Sequence, residues 1–286
     1  MSLFYLLFLG CKDNKKSPIQ ARDNKFEKYT TSDSLLKKEL PNEITKDNHS
    51  MIMDAILGKP KYPVKIIGIL VYDGVNDLDF INPRYVFGQT GVKVQLIAIK
   101  PGPFKTIMGL EITPNTIIDS VEQLDILVIP GGFKGTIEAT YDQKVLNWIK
   151  KIDQHTIYTS SICTGGWILG ATGLLEGKNA TTNWYKADEF MKKYGAKYTN
   201  KRYIQEGKYW TAAGVTAGLD MSLAIVNDNW GKNYTQGIML DLEYNPEPPI
   251  IGGTPEKTGW LVEWMMNAMY DAGVNPIIDS LENKLN

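Results

Sequence analysis

The sequence predicts an α/β protein: a doubly wound, mostly parallel sheet flanked by helices. Three observations carry that expectation. Continuous apolar runs of strand length, such as Val64–Val71 and Leu124–Ile129, suit parallel strands covered on both faces. Segments of helical period alternate with those runs, the pattern of strand–helix–strand units. A β-branched, aromatic run, His155–Tyr158, reads as the tail of a buried strand. It leads through Thr159–Ile162 to Cys163, after which small and apolar residues continue at helical spacing.

In chain order, Met1–Gly10 is an apolar run too short to span a bilayer but suited to the core of a secretory signal. Phe8-Leu9-Gly10-Cys11 followed by Lys12-Asp13-Asn14 resembles a bacterial lipobox, so residues 1–11 are expected to be a signal-like segment with Cys11 as lipid anchor in the cell envelope. Without that processing the expectation is a cytoplasmic protein. Residues 12–60 are polar and lack a sustained period. They read as a flexible tether with short helices at Ser34–Leu40 and Met51–Leu57, and Pro60 and Pro63 mark the start of the folded domain, 61–286.

Within that domain, Val64–Val71 is the first strand, and the turn through Tyr72–Asp77 opens a helix at Leu78-Asp79-Phe80, with Pro83 expected in its first turn. Val92–Lys100 is a second strand, Gly109–Pro114 a small β excursion, and Leu124–Ile129 a buried strand running into Pro130-Gly131-Gly132. A helix over Asp142–Ile152 precedes the cysteine strand. Beyond it, a helix closes at Gly173–Gly177, another ends at Tyr194, and Tyr203–Ala212 reads as a hairpin. Gly214–Asp220 looks like a second strand-to-helix turn with Thr216 as N-cap, its helix running to Trp230. Three prolines within Pro246–Pro249 require extended chain. Trp260–Tyr270 is a last amphipathic helix whose Trp260, Trp264 and Met265 are expected to pack against the core or a partner subunit.

Composition narrows the function. The 286 residues are 43% hydrophobic and 22% charged with a net charge of −1, which supplies no field for nucleic acid or anionic lipid and points to a small-molecule or protein partner. Two cysteines, Cys11 and Cys163, and two histidines, His49 and His155, make neither a disulfide framework nor a clustered zinc site; no metal and no organic cofactor is expected. A strand that turns directly into a helix exposes the turn residue at the sheet edge with helical N–H groups aimed at it, which favours a thiolate at Cys163. A buried cysteine packed as a small hydrophobe fits the same stretch. Ligands of such sheets sit beyond the C-terminal strand edges, so the acidic turn through Asp79, the Gly131-Gly132 turn and the Cys163 elbow should meet there. Adjacent glycines can offer N–H groups to a developing anion. An ordinary tight turn explains Gly-Gly too, and Asp73, Asp77 and Asp79 could be turn and cap residues.

Gly74–Asp79, Ile129–Gly132, Thr159–Lys178, Ala180–Trp184, Gly214–Asp220 and the string Leu242-Glu243-Tyr244 with its prolines together resemble the ThiJ/PfpI superfamily, over about Val64–Gly273. That resemblance implies the flavodoxin-like fold of class I glutamine amidotransferases and a homodimer. Cys163-Thr164 with Leu78-Asp79 and the proline string is more specific to a hydratase-like branch that converts isonitriles to N-substituted formamides. Carried over, Cys163 is the nucleophile, Asp79 the acid/base, Thr164 its partner in activity, and Gly131 and Gly132 the anion-binding backbone. Asn183 stands where the family often has His, in the substrate-binding segment. Thr164 occupies the position where peptidase-like relatives have His, and His155 lies toward the opposite sheet edge, so imidazole-based amidotransferase or peptidase chemistry is disfavoured. A glyoxalase-like or other Cys/acid lyase, or a non-catalytic redox or ligand sensor, are the alternatives. A regulator is disfavoured because no helix-turn-helix region is seen beyond the domain.

Overall fold

The computed structural model describes residues 45, 47, 57–114 and 116–285. The lipobox with Cys11, most of the tether with its two short helices, and His49 lie outside the described residues.

Parallel strands buried on both faces build the body. A seven-stranded sheet runs in the order β10-β11-β7-β6-β1-β2-β5, from β1 (Ile66–Val71), β2 (Lys93–Ala98), β5 (Thr116–Ile117), β6 (Ile126–Ile129), β7 (Tyr158–Ile162), β10 (Tyr203–Glu206) and β11 (Tyr209–Ala212). Every pairing is parallel except the β10–β11 hairpin at one edge. All residues of β6 and β7 are buried, as a sheet covered on both sides requires. The helices form two packed groups. One is α1 (Asp77–Gly88), α6 (Val215–Trp230) and α7 (Lys232–Asp241). The other is α2 (Lys134–Tyr141), α3 (Gln143–Asp153), α4 (Gly165–Ala171), α5 (Ala187–Lys193) and α8 (Trp260–Leu285). Two small ribbons complete the domain: β3 (Phe104–Lys105) with β4 (Glu111–Ile112), which is the expected β excursion, and β8 (Asn179–Ala180) with β9 (Lys197–Tyr198).

Several local expectations shift. The cysteine strand is Tyr158–Ile162, so the buried Thr159-Ser160-Ser161-Ile162 is the strand itself and Cys163 follows it at once. Asn76 caps α1 through the Leu78 N–H, which places Pro83 inside the helix rather than in its first turn; its missing donor falls opposite the Asp79 carbonyl. Gly214, not Thr216, is the N-cap of α6, and the Thr216 hydroxyl instead meets Arg202. The last helix continues through Pro276 to Leu285, and Trp260 and Trp264 are 76% and 64% exposed, Met265 45%, so none of the three packs into the core.

Candidate active site

Strand order reverses at β1, with β2 on one side and β6 and β7 on the other, and the chain segments leaving β1, β6 and β7 meet at this switch point. The first two are zipped together: the Asn76 N–H donates to the Gly131 carbonyl (2.8 Å), the Phe133 N–H to the Gly74 carbonyl (3.2 Å), and Val75 bridges Gly132. Asp73 and Asp77 serve structure. Asp73 accepts from the Lys105 N–H, and Asp77 accepts from the Thr106 hydroxyl at 2.7 Å and the Met108 N–H, tying the β3–β4 ribbon to the turn. Asp79, one helical step inward, is fully buried.

At the third segment Cys163 adopts φ 58°, a left-handed conformation that costs a non-glycine residue about 1–3 kcal/mol. Its surroundings hold it there. The Cys163 N–H donates to the Ala212 carbonyl of β11 (3.0 Å), while its own carbonyl accepts from the Gly166 N–H (3.2 Å) and the Thr182 hydroxyl (2.8 Å). A Cβ on Gly165 would lie 2.1 Å from the Ile129 carbonyl, so only glycine lets α4 start this close to β6. The sulfur's residue is 6% exposed.

The carboxyl and the thiol act on each other. Asp79 Oδ2 accepts the Gly131 N–H at 3.0 Å, and Oδ1 is buried with no hydrogen-bond partner. Burial pushes the Asp79 carboxyl up to about 7, against the Gly131 N–H and the Cys163 thiol, which both favour the charged form. The thiol affects this ionisation although it does not meet hydrogen-bond geometry at Oδ1 in the resting chain. Burial and then the Asp79 charge drive the Cys163 thiol well above its ordinary value, and Asn183 and the Thr164 backbone and hydroxyl oppose them. The expected helix-favoured thiolate is therefore corrected: α4 has only seven residues, and desolvation outweighs its donors. One proton on the thiol–carboxyl pair is the state to reason from.

Thr164 and the glycines form a brace. The Thr164 hydroxyl accepts from the Gly132 N–H and donates to the Gly132 carbonyl, both at 2.9 Å. With Gly131 bonded to Asp79, both N–H groups expected to receive an anion are already occupied, and their use by substrate would require displacing these partners. Asn183 Nδ2 donates to Cys163 Sγ at 3.3 Å while its Oδ1 accepts from the Tyr185 N–H, which sets the amide's orientation. Sequence reasoning missed the roof. Burial, and then the charges of Cys163 and Asp79, push the phenol of Tyr270 on α8 above its ordinary value. Its ring packs 5.9 Å from Phe133, 5.3 Å from Trp184 and 4.9 Å from Tyr185. Lone aromatics carry no such signal, since the contact is made across the whole domain.

His155 stands before β7, at the strand end opposite Cys163. Among the described residues no group of three or more His, Cys, Asp or Glu gathers to hold a metal ion.

The model of the DJ-1/PfpI family matches residues 65–228. The chain is 34% identical to an isonitrile hydratase of Pseudomonas putida over 191 residues, 66% of this chain and 83% of that protein. A deglycase of Thermococcus kodakarensis is 27% identical over 143 residues, 49% of this chain and 85% of that one. The crystal structure of a ThiJ/PfpI family protein from Pseudomonas syringae superposes with a TM-score of 0.74 at 30% identity, covering 86% of this chain and 98% of that one.

Proposed function

The chain belongs to the DJ-1/PfpI family, and from that premise we propose that it is a cysteine-dependent hydratase that adds water to an isonitrile to give an N-substituted formamide. The observation that carries the reading is the pairing of a solitary buried thiol with a buried carboxyl, one oxygen unpartnered, whose pKa is raised to about 7. A Cys/His hydrolase would need an imidazole here; Asn183 and Thr164 are the polar side chains beside the sulfur instead.

An isonitrile carbon is first a base and then an electrophile. In the state with one proton on the pair, that proton rests on the Cys163 sulfur; Asp79 takes it up and passes it to the isonitrile carbon as the sulfur bonds to the same carbon. The product is a thioimidate, R–N=CH–S, with Asp79 charged. Asp79 then takes a proton from water as its oxygen adds to the same carbon. The C–S bond breaks, nitrogen gains a proton, and the formamide leaves with the thiol restored. Isonitrile plus water gives formamide, with nothing left over. The Asn183 amide and the Thr164 N–H favour the sulfur's negative charge, and the Thr164 hydroxyl holds the Gly131–Gly132 turn that presents Asp79.

Formamide release from purified protein and an aliphatic isonitrile tests the reading. Turnover is expected in the wild type and none in Cys163→Ala; a wild type that leaves the isonitrile intact, or a Cys163→Ala variant of undiminished rate, overturns it. The identity to a deglycase favours a second reading, addition of the same thiol to a reactive aldehyde. Consumption of methylglyoxal to lactate, with no formamide from isonitriles, would favour that one.

A further inference from the structure

β6 leads into the site through one peptide unit, and both ends of that unit are used. Pro130, the residue after β6, brings no N–H, so the first backbone donor beyond the strand is that of Gly131. This N–H reaches Asp79 Oδ2 at 3.0 Å. The carbonyl of the same peptide, that of Pro130, accepts from the Tyr72 hydroxyl at 2.7 Å. Tyr72 follows β1 directly, and its phenol oxygen lies 2.8 Å from Thr136 Oγ1 of α2. What each atom can do settles the direction of these bonds. A carbonyl only accepts, so the phenol spends its one proton on Pro130, and the Thr136 hydroxyl must donate to the phenol oxygen. Every donor therefore points one way, from Thr136 through Tyr72 and the Pro130–Gly131 peptide to Asp79, with Thr136 fully buried and Tyr72 nearly so.

A planar, conjugated peptide carries polarisation from one end to the other. Hydrogen bonding at its oxygen makes its N–H a stronger donor, and in a low-dielectric interior the members of such a chain strengthen one another. Burial opposes the charged form of Asp79, and the Gly131 N–H is the leading group on the other side. We propose that Tyr72 is a positioning residue for Asp79: through the single peptide between them, its hydroxyl fixes and strengthens the Gly131 N–H that holds the carboxylate. Burial keeps the proton of Tyr72 in place, its ionisation lying well above the ordinary phenol range, so the chain of donors persists while Asp79 titrates. The titratable groups that act with Asp79 are Cys163 from the elbow, Tyr72 from the end of β1 and Tyr270 from α8; Asp77, on its own helix, is turned to the β3–β4 ribbon. This role for Tyr72 deepens the acid/base role of Asp79 and rests on the hydratase reading only for its effect on rate.

Tyr72→Phe keeps the ring and removes the hydroxyl. The ionisation of Asp79 is read without turnover, from the NMR resonance of its carboxyl carbon in the full chain, assigned by its loss in Asp79→Asn. Its midpoint is expected to rise in Tyr72→Phe by about half a pH unit, roughly threefold in the ionisation constant. In formamide release the rising limb of kcat/KM should move by the same amount while the plateau above it holds, whereas a general loss of structure would lower both together. Thr136→Val strips the phenol oxygen of its donor and should move the midpoint the same way by less, which keeps the test available if Tyr72→Phe folds poorly. The double variant should move it no further than Tyr72→Phe alone, because the two hydroxyls lie in series. A midpoint unmoved in both single variants, or a double variant whose shifts add, overturns the role of Tyr72 and leaves the hydratase standing. Absence of formamide with wild-type protein removes the hydratase, while the resonance of Asp79 still decides the role of Tyr72.

Discussion

Asp79 is a carboxyl that burial keeps from ionising easily, and this has consequences for both rate and stability. Its folded-state pKa of about 7 lies above the 3.8 of an ordinary aspartate. The productive state carries one proton on the pair, so kcat/KM should rise roughly tenfold per pH unit below about 7 and then level off. The thiol's own ionisation lies well above its ordinary range and sets no limb near neutrality. Stability runs the other way. Because the raised pKa belongs to the folded chain, its stabilising contribution is complete below the unfolded value near 4 and is lost as pH rises through 7. At pH 8 the buried charge costs up to about 4 kcal/mol, three units at ~1.4 kcal/mol each. Asp79→Asn should therefore lose activity yet unfold at higher urea than wild type at pH 8, with the gap closing toward pH 4. A gap that widens on acidification would refute the assignment. Gly131 is the residue beside it that admits no substitute. A Cβ there would sit 2.5 Å from Thr164 Oγ1, 2.6 Å from Thr164 N and 2.9 Å from Asp79 Oδ2. Gly131→Ala should cost about 1–3 kcal/mol in urea denaturation and lower kcat/KM more than a hundredfold, because the methyl group forces apart the parts that carry the chemistry.

Elements were legible in the sequence wherever burial leaves a periodic or apolar trace. β1, β6 and the β10–β11 hairpin read directly, since a strand covered on both faces must be apolar and a hairpin must turn at Gly207. Helix α2 left no trace because it starts straight after the Gly131-Gly132 turn with no side-chain cap at Phe133. Two-residue β5 is too short to show a period. The apolar spacing from Trp260 marks α8 only as far as Tyr270, whereas the helix runs on through Gly273 and Pro276, and Gly273 is a packing site: a Cβ there would meet the Phe133 ring at 2.4 Å. That close approach lets α8 lie over the elbow. It is also clasped, Asp271 Oδ1 accepting from the Tyr185 hydroxyl and pairing with Lys186, both at 2.7 Å. Lys186 beside Asp271 holds that carboxyl below the usual range. Asp271→Ala is expected to speed amide hydrogen exchange in α8 with little change in β6 or β7. Unchanged exchange in α8 would show that the clasp does not hold the helix.

At the scale of the molecule, the meeting of Asp79, Gly131 and Cys163 could be anticipated because a doubly wound sheet brings the C-terminal ends of adjacent strands together, and β1, β6 and β7 are neighbours. What covers that edge could not be, because α8 reaches it from the far end of the chain, and which helix folds over a site depends on packing that no local pattern encodes. The sheet does not depend on that cover: α8 packs chiefly on α2, and its outward stripe of Trp260, Leu261, Trp264, Met265 and Met269 is exposed. Ending the chain after Gly259 should therefore leave a cooperatively folded α/β body by circular dichroism, with a lower Tm because the buried Val274 is lost from the core and the Tyr270 ring no longer packs on Phe133 and Trp184. It should also open the sulfur. At 6% exposure Cys163 is nearly enclosed in the full chain, so iodoacetamide is expected to alkylate the shortened chain more than tenfold faster at pH 8. A shortened chain whose cysteine reacts no faster would mean that the enclosure comes from the β6 and β7 turns alone.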